Sequence, residues 1–398
     1  MSLSWQEALT DHLTHWGLRH VTSDDEYFRW QRDRLSPLQL DELRRAVERK
    51  RSGHPSDEAA FYDLTADPQI LPILYSQRYE YFSALAPRVA SYLHEATRVL
   101  DAGCGVGILT TMYARLFPSP EVVGVDRSPA SIARAREQAA ALGLSNVRFD
   151  CLDLTKEPLD GTYDVIVATH ALVQAEQDPG LPSLDWRTFA RADDADAQRR
   201  FEERTGVGVR LDRLCEALAP EGRLLLFEKT RPLARRVPVQ RALAARGLAP
   251  VTIPEPVRYR TVEELTEDGP FYVLRRGANG DLLWNESPEP DEGPSFDREA
   301  CRAGAASSEA PLYENHRPSA QRAWEQLHGR VVEQELTRRE SDGRQLHVEL
   351  GRAEGWAYLY CANTFDQRQL VVADQRQLGE LKAYYEDIVR SAPEGERQ

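Results

Sequence analysis

The spacing of apolar residues changes near residue 97. Before that point it is helical. Leu38, Leu40, Leu43 and Val47 form a rough stripe behind Ser36-Pro37-Leu38-Gln39. Ser36 can cap, Pro37 suits the first helical position and Gln39 completes a capping box. Gly53 and Pro55 then stop the helix. A second helical stretch over about 70–93 carries Tyr75, Tyr79, Tyr81, Phe82 and Tyr92. Residues 1–95 read as an N-terminal helical cap.

From Thr97 short apolar runs alternate with helical segments. Strands are predicted at 99–100, 121–125, 147–150, 163–169 and 223–228, with helices over 108–117 and from Ser128-Pro129 to Gly143. Segments 249–253 and 271–275 offer two more strands. This alternation predicts an α/β core over 96–276, with a parallel sheet covered on both faces. More than fifty residues separate the fourth and fifth strands, longer than a crossover needs. The excess, about 175–204, carries Trp186, Phe189 and Phe201 and reads as a lid or substrate-facing insertion. Residues 277–311 have the composition of a linker or mobile loop. After them, 319–338 reads as a helix, 345–350, 356–361 and 369–373 as strands, and the end as a helix carrying Leu378, Leu381, Tyr385 and Ile388. Together these make a C-terminal α+β unit over 312–392.

Composition narrows the partners. At about 100–200 residues per domain, 398 residues predict two or three domains. A formal charge of −14 makes a poor general binder of phosphate backbones, so no nucleic-acid partner is expected. No run of about 18 apolar residues occurs, and the first residues lack a basic segment followed by an apolar one. No membrane partner and a cytoplasmic location are expected. Cys104, Cys151, Cys215, Cys301 and Cys361 are scattered and never form CxxC, which argues against disulfides and a zinc site, so no metal is expected.

The chemistry is carried by Val99-Leu100-Asp101-Ala102-Gly103-Cys104-Gly105-Val106-Gly107. An acid ends a strand, and three glycines at alternate positions let the backbone turn tightly and let a ligand approach it. Asp126 ends the second strand, where it can take both hydroxyls of a ribose, and Asp153 follows the third, where it can accept from an exocyclic amine. All three acids belong to the carboxyl edge of neighbouring strands and should line one crevice. A dinucleotide fold would need GxGxxG, but Ile108 stands three residues after Gly105, and Asp101 would face a diphosphate. It suits a ligand with an ammonium and a sulfonium instead.

The segment from about 97 to 230 resembles the class I S-adenosylmethionine-dependent methyltransferase family. The resemblance rests on VLDAGCGVG, Asp126 in VVGVDRSP, Asp153, the fourth strand YDVIVAT, and the turn and fifth strand LAPEGRLLLFE. It covers about a third of the chain, in order, and matches no particular subfamily. It implies a Rossmann-like seven-stranded core that binds S-adenosyl-L-methionine and releases S-adenosyl-L-homocysteine. The expected cofactor set is Asp101, Gly103, Cys104, Gly105, Gly107, Asp126, Arg127, Leu152, Asp153 and Thr169, with Val106 as an apolar neighbour. Tyr75 and Arg78 join it from the cap, with Arg78 against the methionine carboxylate.

Methyl transfer needs acceptor, methyl and sulfur in line, and at most a proton acceptor. His170, just after the fourth strand, is the candidate base; a histidine held by nearby groups with no chemical role is the plainer reading. Glu228 can orient the acceptor or a helix, and Tyr79, with Tyr62 and Tyr75, can close over the acceptor, although aromatics at such spacing also serve as core. Asp126 and Asp153 have plainer readings as a helix-end acid and a loop cap. Arg231, Arg235, Arg236, Arg241 and Arg246 can attract an acidic substrate or form a solvated helix face. The expected activity is methylation of an O, N or C nucleophile on a small molecule. The alternatives are a protein methyltransferase that docks or homodimerises through the C-terminal unit, and a binding module without catalysis. The loop ATHALVQAEQ lacks the paired glutamates of protein arginine methyltransferases.

Overall fold

Eight strands form the main sheet in the computed structural model, which describes residues 5–52, 55–173, 178–262, 264–277, 284–291, 293–304, 310–339 and 343–391. They are β1 Arg98–Ala102, β2 Glu121–Asp126, β3 Val147–Cys151, β4 Tyr163–Thr169, β5 Leu218–Phe227, β6 Leu248–Pro250, β7 Glu255–Arg260 and β8 Leu265–Arg276. Their order is β3-β2-β1-β4-β5-β8-β6, with β7 paired to β8 outside that path. β1 to β5 run parallel, while β8 is antiparallel to β5, β6 and β7. The order reverses between β1 and β4, and at such a switch point a crevice opens outside the carboxyl ends of the strands. The expected seven strands become eight because β7 extends the sheet. Glu255, Pro256, Arg258 and Arg260 break its apolar pattern and hide it in the sequence.

Clustering of contacts divides the chain into two units. The first holds Met1–Asp178, Arg199–Arg231 and Val239–Trp284. The helices of the chain are α1 Trp5–His15, α2 Asp24–Arg34, α3 Pro37–Ser52, α4 Pro55–Thr65, α5 Leu71–Ser76, α6 Tyr79–Ala90, α7 Ile108–Leu116, α8 Pro129–Ala141, α9 Ala195–Thr205, α10 Val207–Ala217, α11 Leu233–Ala245, α12 Arg298–Gly304, α13 Ala320–Glu325 and α14 Leu378–Ser391. The helix expected over 70–93 is two, α5 and α6, broken at Gln77-Arg78. α6 buries Tyr81, Phe82, Leu85 and Val89 in one core with Val99, Val165, Leu225 and Phe227 of the sheet. Buried His12 places Nε2 2.8 Å from the Ile108 carbonyl, which ties α1 to the start of α7. Part of the cap thus shares one core with the sheet.

The second unit holds Pro179–Gln198, Pro232–Pro238 and Asn285–Gln398. Its antiparallel sheet has the order β10-β11-β12-β13-β9, with β9 Tyr313–Asn315, β10 Val331–Arg339, β11 Gln345–Ala353, β12 Trp356–Asn363 and β13 Arg368–Asp374. One face packs Val348, Leu350, Leu359 and Val371 against Leu381 and Tyr385 of α14. The other packs Tyr358, Tyr360 and Val372 against Ala320, Ala323, Cys301 and Trp186. The helix expected over 319–338 stops after α13. Gly329 takes φ +61, and the chain re-enters as β10, whose β-branched Val331 and Val332 pair with Gly351 and Arg352. The stretch expected as a linker includes α12, and Phe296 sits edge-on to Tyr313 and Trp356. Its residues 278–283, 292 and 305–309 lie outside the described residues.

Of the insertion, residues 179–198 are built into the second unit, and 199–204 belong to the first. Ser183 N–H donates to the Thr364 carbonyl at 2.7 Å, and Trp186 stacks flat on His347 at 3.5 Å. Residues 174–177 lie outside the described residues. Truncating a buried Trp costs about 3–5 kcal/mol. Trp186→Ala should therefore lower the unfolding free energy of the full chain by that amount in urea denaturation followed by far-UV circular dichroism; an unchanged value would contradict this packing.

Candidate functional site

A cleft of about 270 Å³ lies at the carboxyl edge of β1, β2, β4 and β5. Its floor is the glycine loop. Gly103, Gly105 and Gly107 have φ of +74, +54 and +84, a region that favours glycine over residues with a Cβ. A Cβ on Gly103 would stand 2.5 Å from the Ala171 Cβ, so the loops after β1 and β4 can meet only over bare backbone. A Cβ on Gly105 would meet only the Tyr75 hydroxyl, at 3.8 Å, because this glycine faces the open cleft.

The acids come together here as expected. Asp101, Asp126 and Asp153 all line the cleft, with Gly103, Cys104, Gly105, Val106, Arg127, Leu152 and Thr169. Asp126 accepts from Gly105 N–H at 2.9 Å and from Ser128 N–H at 2.8 Å, one bond per oxygen. A carboxylate oxygen has two lone pairs, so each keeps acceptor capacity beyond these bonds. Burial raises the pKa of Asp126 against the pull of those N–H groups. Asp101 is 4% exposed and accepts from Thr110 Oγ1 at 2.5 Å. Burial lifts it to about 6, and a cationic ammonium would return it to the ionised form. Asp153 does cap its loop. Despite burial, the Thr155 hydroxyl and N–H and the Lys156 ammonium hold it at about 2, an acceptor charged throughout the neutral range.

The cap roofs the cleft. Lys50, Glu58, Tyr62, Tyr75, Arg78, Tyr81 and Phe82 line it. α4 is fastened to the start of α8 by Ser128 Oγ donating to Asp63 at 2.7 Å and by Arg127 pairing with Glu58 at 2.6 Å. Tyr79 is not in the cleft. It lies against the His20 ring at 5.0 Å, because a one-helix neighbour of Arg78 and Tyr81 points to a different face.

His170 reaches the cleft wall with φ +53. Arg78 Nη2 lies 2.6 Å from its Nδ1, and an arginine can only donate, so Nδ1 is the unprotonated nitrogen. Nε2 lies 3.1 Å from Asp268 Oδ2, although not aligned as a hydrogen bond. Burial lowers its pKa to about 4, Asp268 opposing and Arg78 assisting. His170 is therefore neutral, and in this arrangement its lone pair faces Arg78 instead of an acceptor.

Glu228 turns inward and is 1% exposed. Its carboxylate accepts from the N–H groups of Ala171, Leu172 and Val173, at 2.8, 2.7 and 3.4 Å. It holds the loop after β4, Oε1 taking two of these bonds and Oε2 the third, and it also lines the cleft. Burial lifts its pKa to about 7 even against those donors.

Arg210, Asp268 and Tyr259 were missed by the sequence reading. Arg210 Nη1 binds the carbonyls of Leu172 and Thr205; Asp268 and Tyr259 come from β8 and β7 and are hydrogen-bonded to each other. Nothing local in the sequence marks them. The arginine run divides: Arg231 is exposed, while Arg236 and Arg246 are engaged by acids. Arg236 is 2% exposed and pairs with Glu289, and Arg246 pairs with Glu202 and Asp212.

Residues 93–232 match the sequence family described as "Methyltransferase domain". Over this stretch, about a third of the chain, the protein is similar to methyltransferases. The similar proteins include the trans-aconitate 2-methyltransferase of Variovorax paradoxus, 44% identical over 81 residues, 20% of this chain and 29% of that one. The malonyl-[acyl-carrier protein] O-methyltransferase of Bacillus anthracis is 33% identical over 75 residues, 19% and 27%. The 23S rRNA (uracil(1939)-C(5))-methyltransferase of Shewanella amazonensis is 37% identical over 98 residues, 24% and 20%. The chain thus spans less than a third of the length of each of these relatives.

Two outcomes test this geometry. Gly103→Ala combines a clash with Ala171 and a disfavoured φ, and should cost about 2–4 kcal/mol in urea unfolding; a neutral change would mean the two loops do not meet. A Glu228 carboxyl that keeps its proton to about 7, against about 4.3 in an unfolded chain, favours the native state below that window. The advantage is lost as pH rises through it. Stability of Glu228→Gln relative to the parent should therefore rise from about pH 4 to about pH 7 in parallel unfolding series; a flat difference would contradict the buried-carboxylate assignment.

Proposed function

We propose that the protein transfers the methyl group of S-adenosyl-L-methionine to a small-molecule acceptor. The observation that carries this reading is the convergence of Asp101, Asp126 and Asp153 on one cleft whose floor at Gly105 is bare backbone. The residues fit the cofactor in kind. Asp126 has acceptor capacity for ribose hydroxyls, Asp153 is a fully ionised acceptor for an adenine amine, and Asp101 is a buried carboxyl that gains from an ammonium. Leu152 and Val106 supply apolar neighbours for the adenosyl group, and Arg78 a buried cation for the methionine carboxylate.

When bound, the cofactor supplies a methyl group on a sulfonium and leaves as a neutral thioether. The chain's own task is placement and exclusion of water. The cap roofs the cleft, Glu228 fixes the loop after β4, and the Gly103–Ala171 approach fixes that loop against the glycine turn. A cleft of about 270 Å³ suits a small acceptor, as does the relative named for trans-aconitate. The net charge of −14 weighs against an RNA acceptor, the reading that the rRNA relative would favour.

Asp126→Ala removes charge-assisted hydrogen bonds worth about 1.5–3 kcal/mol. It should weaken S-adenosylhomocysteine about 10- to 100-fold in isothermal titration. Unchanged affinity in a folded variant would remove Asp126 from the site.

A further inference from the structure

Resting on the methyltransferase reading, we propose that Arg78 gates His170: the cofactor's amino-acid carboxylate draws the guanidinium off Nδ1, and the freed nitrogen becomes the base that takes the acceptor's proton. The arrangement has the parts of a base with its lone pair covered. Among the described residues, Arg78 is the one group hydrogen-bonded to Nδ1, at 2.6 Å. On the other side, Nε2 faces Asp268 at 3.1 Å, and Asp268 is itself held by the Tyr259 hydroxyl. A carboxylate behind the far nitrogen fixes the tautomer and stabilises the imidazolium that a base becomes.

The surroundings of the ring are otherwise fixed. Tyr81 of α6 stacks on it at 5.3 Å, and Phe227 at the end of β5 lies at 5.2 Å. The charged groups facing it are Arg78 before α6, Asp268 on β8 and Lys229 after β5. Of these, Arg78 alone touches the lone pair, and it lines the cleft beside Gly103, Gly105 and Thr169. Its hold on Nδ1 is a charged donor on a neutral acceptor; a carboxylate offers it a charge-assisted, bidentate partner.

The consequence is order. Before the cofactor carboxylate arrives, burial and the adjacent guanidinium keep His170 neutral down to about 4 and leave it a poor base. Afterwards the cation has moved to an anion, Asp268 remains, and proton affinity rises. In the step itself the acceptor X–H bond breaks as Nδ1–H forms. The electron pair left on X bonds the methyl carbon, and the carbon–sulfur pair returns to sulfur. Arg78 acts here as a positioning residue, and His170 as the catalytic one.

The test is a histidine titration of the full chain by nuclear magnetic resonance, with the His170 signal identified by its loss in His170→Gln. Without ligand the parent signal should show no titration above about pH 5. Saturating S-adenosylhomocysteine should raise the midpoint by about one pH unit. 5′-Methylthioadenosine, which lacks the carboxylate, should leave it in place. Arg78→Gln should raise it by a similar amount with no ligand, and Arg78→Lys, which keeps the charge, should keep it low. A midpoint that does not move in folded Arg78→Gln overturns the gate. So does a bound homocysteine product, confirmed by heat of titration, that leaves the signal unmoved. A product that gives no heat counts against the methyltransferase reading instead, and Arg78→Gln then decides the gate by itself.

Discussion

The wall of the cleft hangs on one buried carboxylate. Glu228 gathers three successive N–H groups of the loop after β4, and that loop carries His170 and presses Ala171 against Gly103. Three amides on two oxygens repay much of the cost of burying a charge, but not all, which is why the carboxyl sits at about 7 instead of in the ordinary carboxylate range. The loop after β4 is therefore positioned by a buried group just after β5. The cofactor side rests on backbone, with the Gly105 N–H on Asp126 joining the glycine loop to the end of β2.

This division explains how much was legible in the sequence. Gly103, Gly105 and Gly107 require positive φ locally, and Asp101, Asp126 and Asp153 follow strands whose apolar runs are unmistakable, so motif and partners stand at predictable strand ends. The order of the sheet follows from the same alternation. Contacts made across long separations leave no such mark. Asp268 reaches His170 from ninety-odd residues away on a strand that sequence reading placed only in part, and Tyr79 differs from Arg78 by the turn of one helical residue. β10 was hidden for another reason. Leu327, Val331 and Leu336 suit a helix as well as a strand, and only the pairing with β11 decides between them.

The second unit has its own logic. Its five-stranded sheet packs both faces, and residues 179–198 and 232–238 belong to it although stretches of the first unit flank them in sequence. Arg191 with Asp366, and the Arg368 guanidinium on the Thr188 carbonyl, hold the first of these segments. Residues 179–198 of the insertion thus contribute to the core of the second unit. Its aromatic residues were the clue: Trp186 is the kind of side chain that leaves water only when a partner surface such as His347 receives it.

The central claim is that three strand ends and a glycine turn serve a single adenosyl-sulfonium ligand. Hydrogen–deuterium exchange with and without S-adenosylhomocysteine tests this most directly, because amide exchange reads each segment separately. The account predicts joint slowing at 101–107, 126–128 and 152–155, within β1, β2 and β3 ends, at ligand concentrations that saturate one site per chain. Slowing confined to one of the three segments, or none in any, would contradict it.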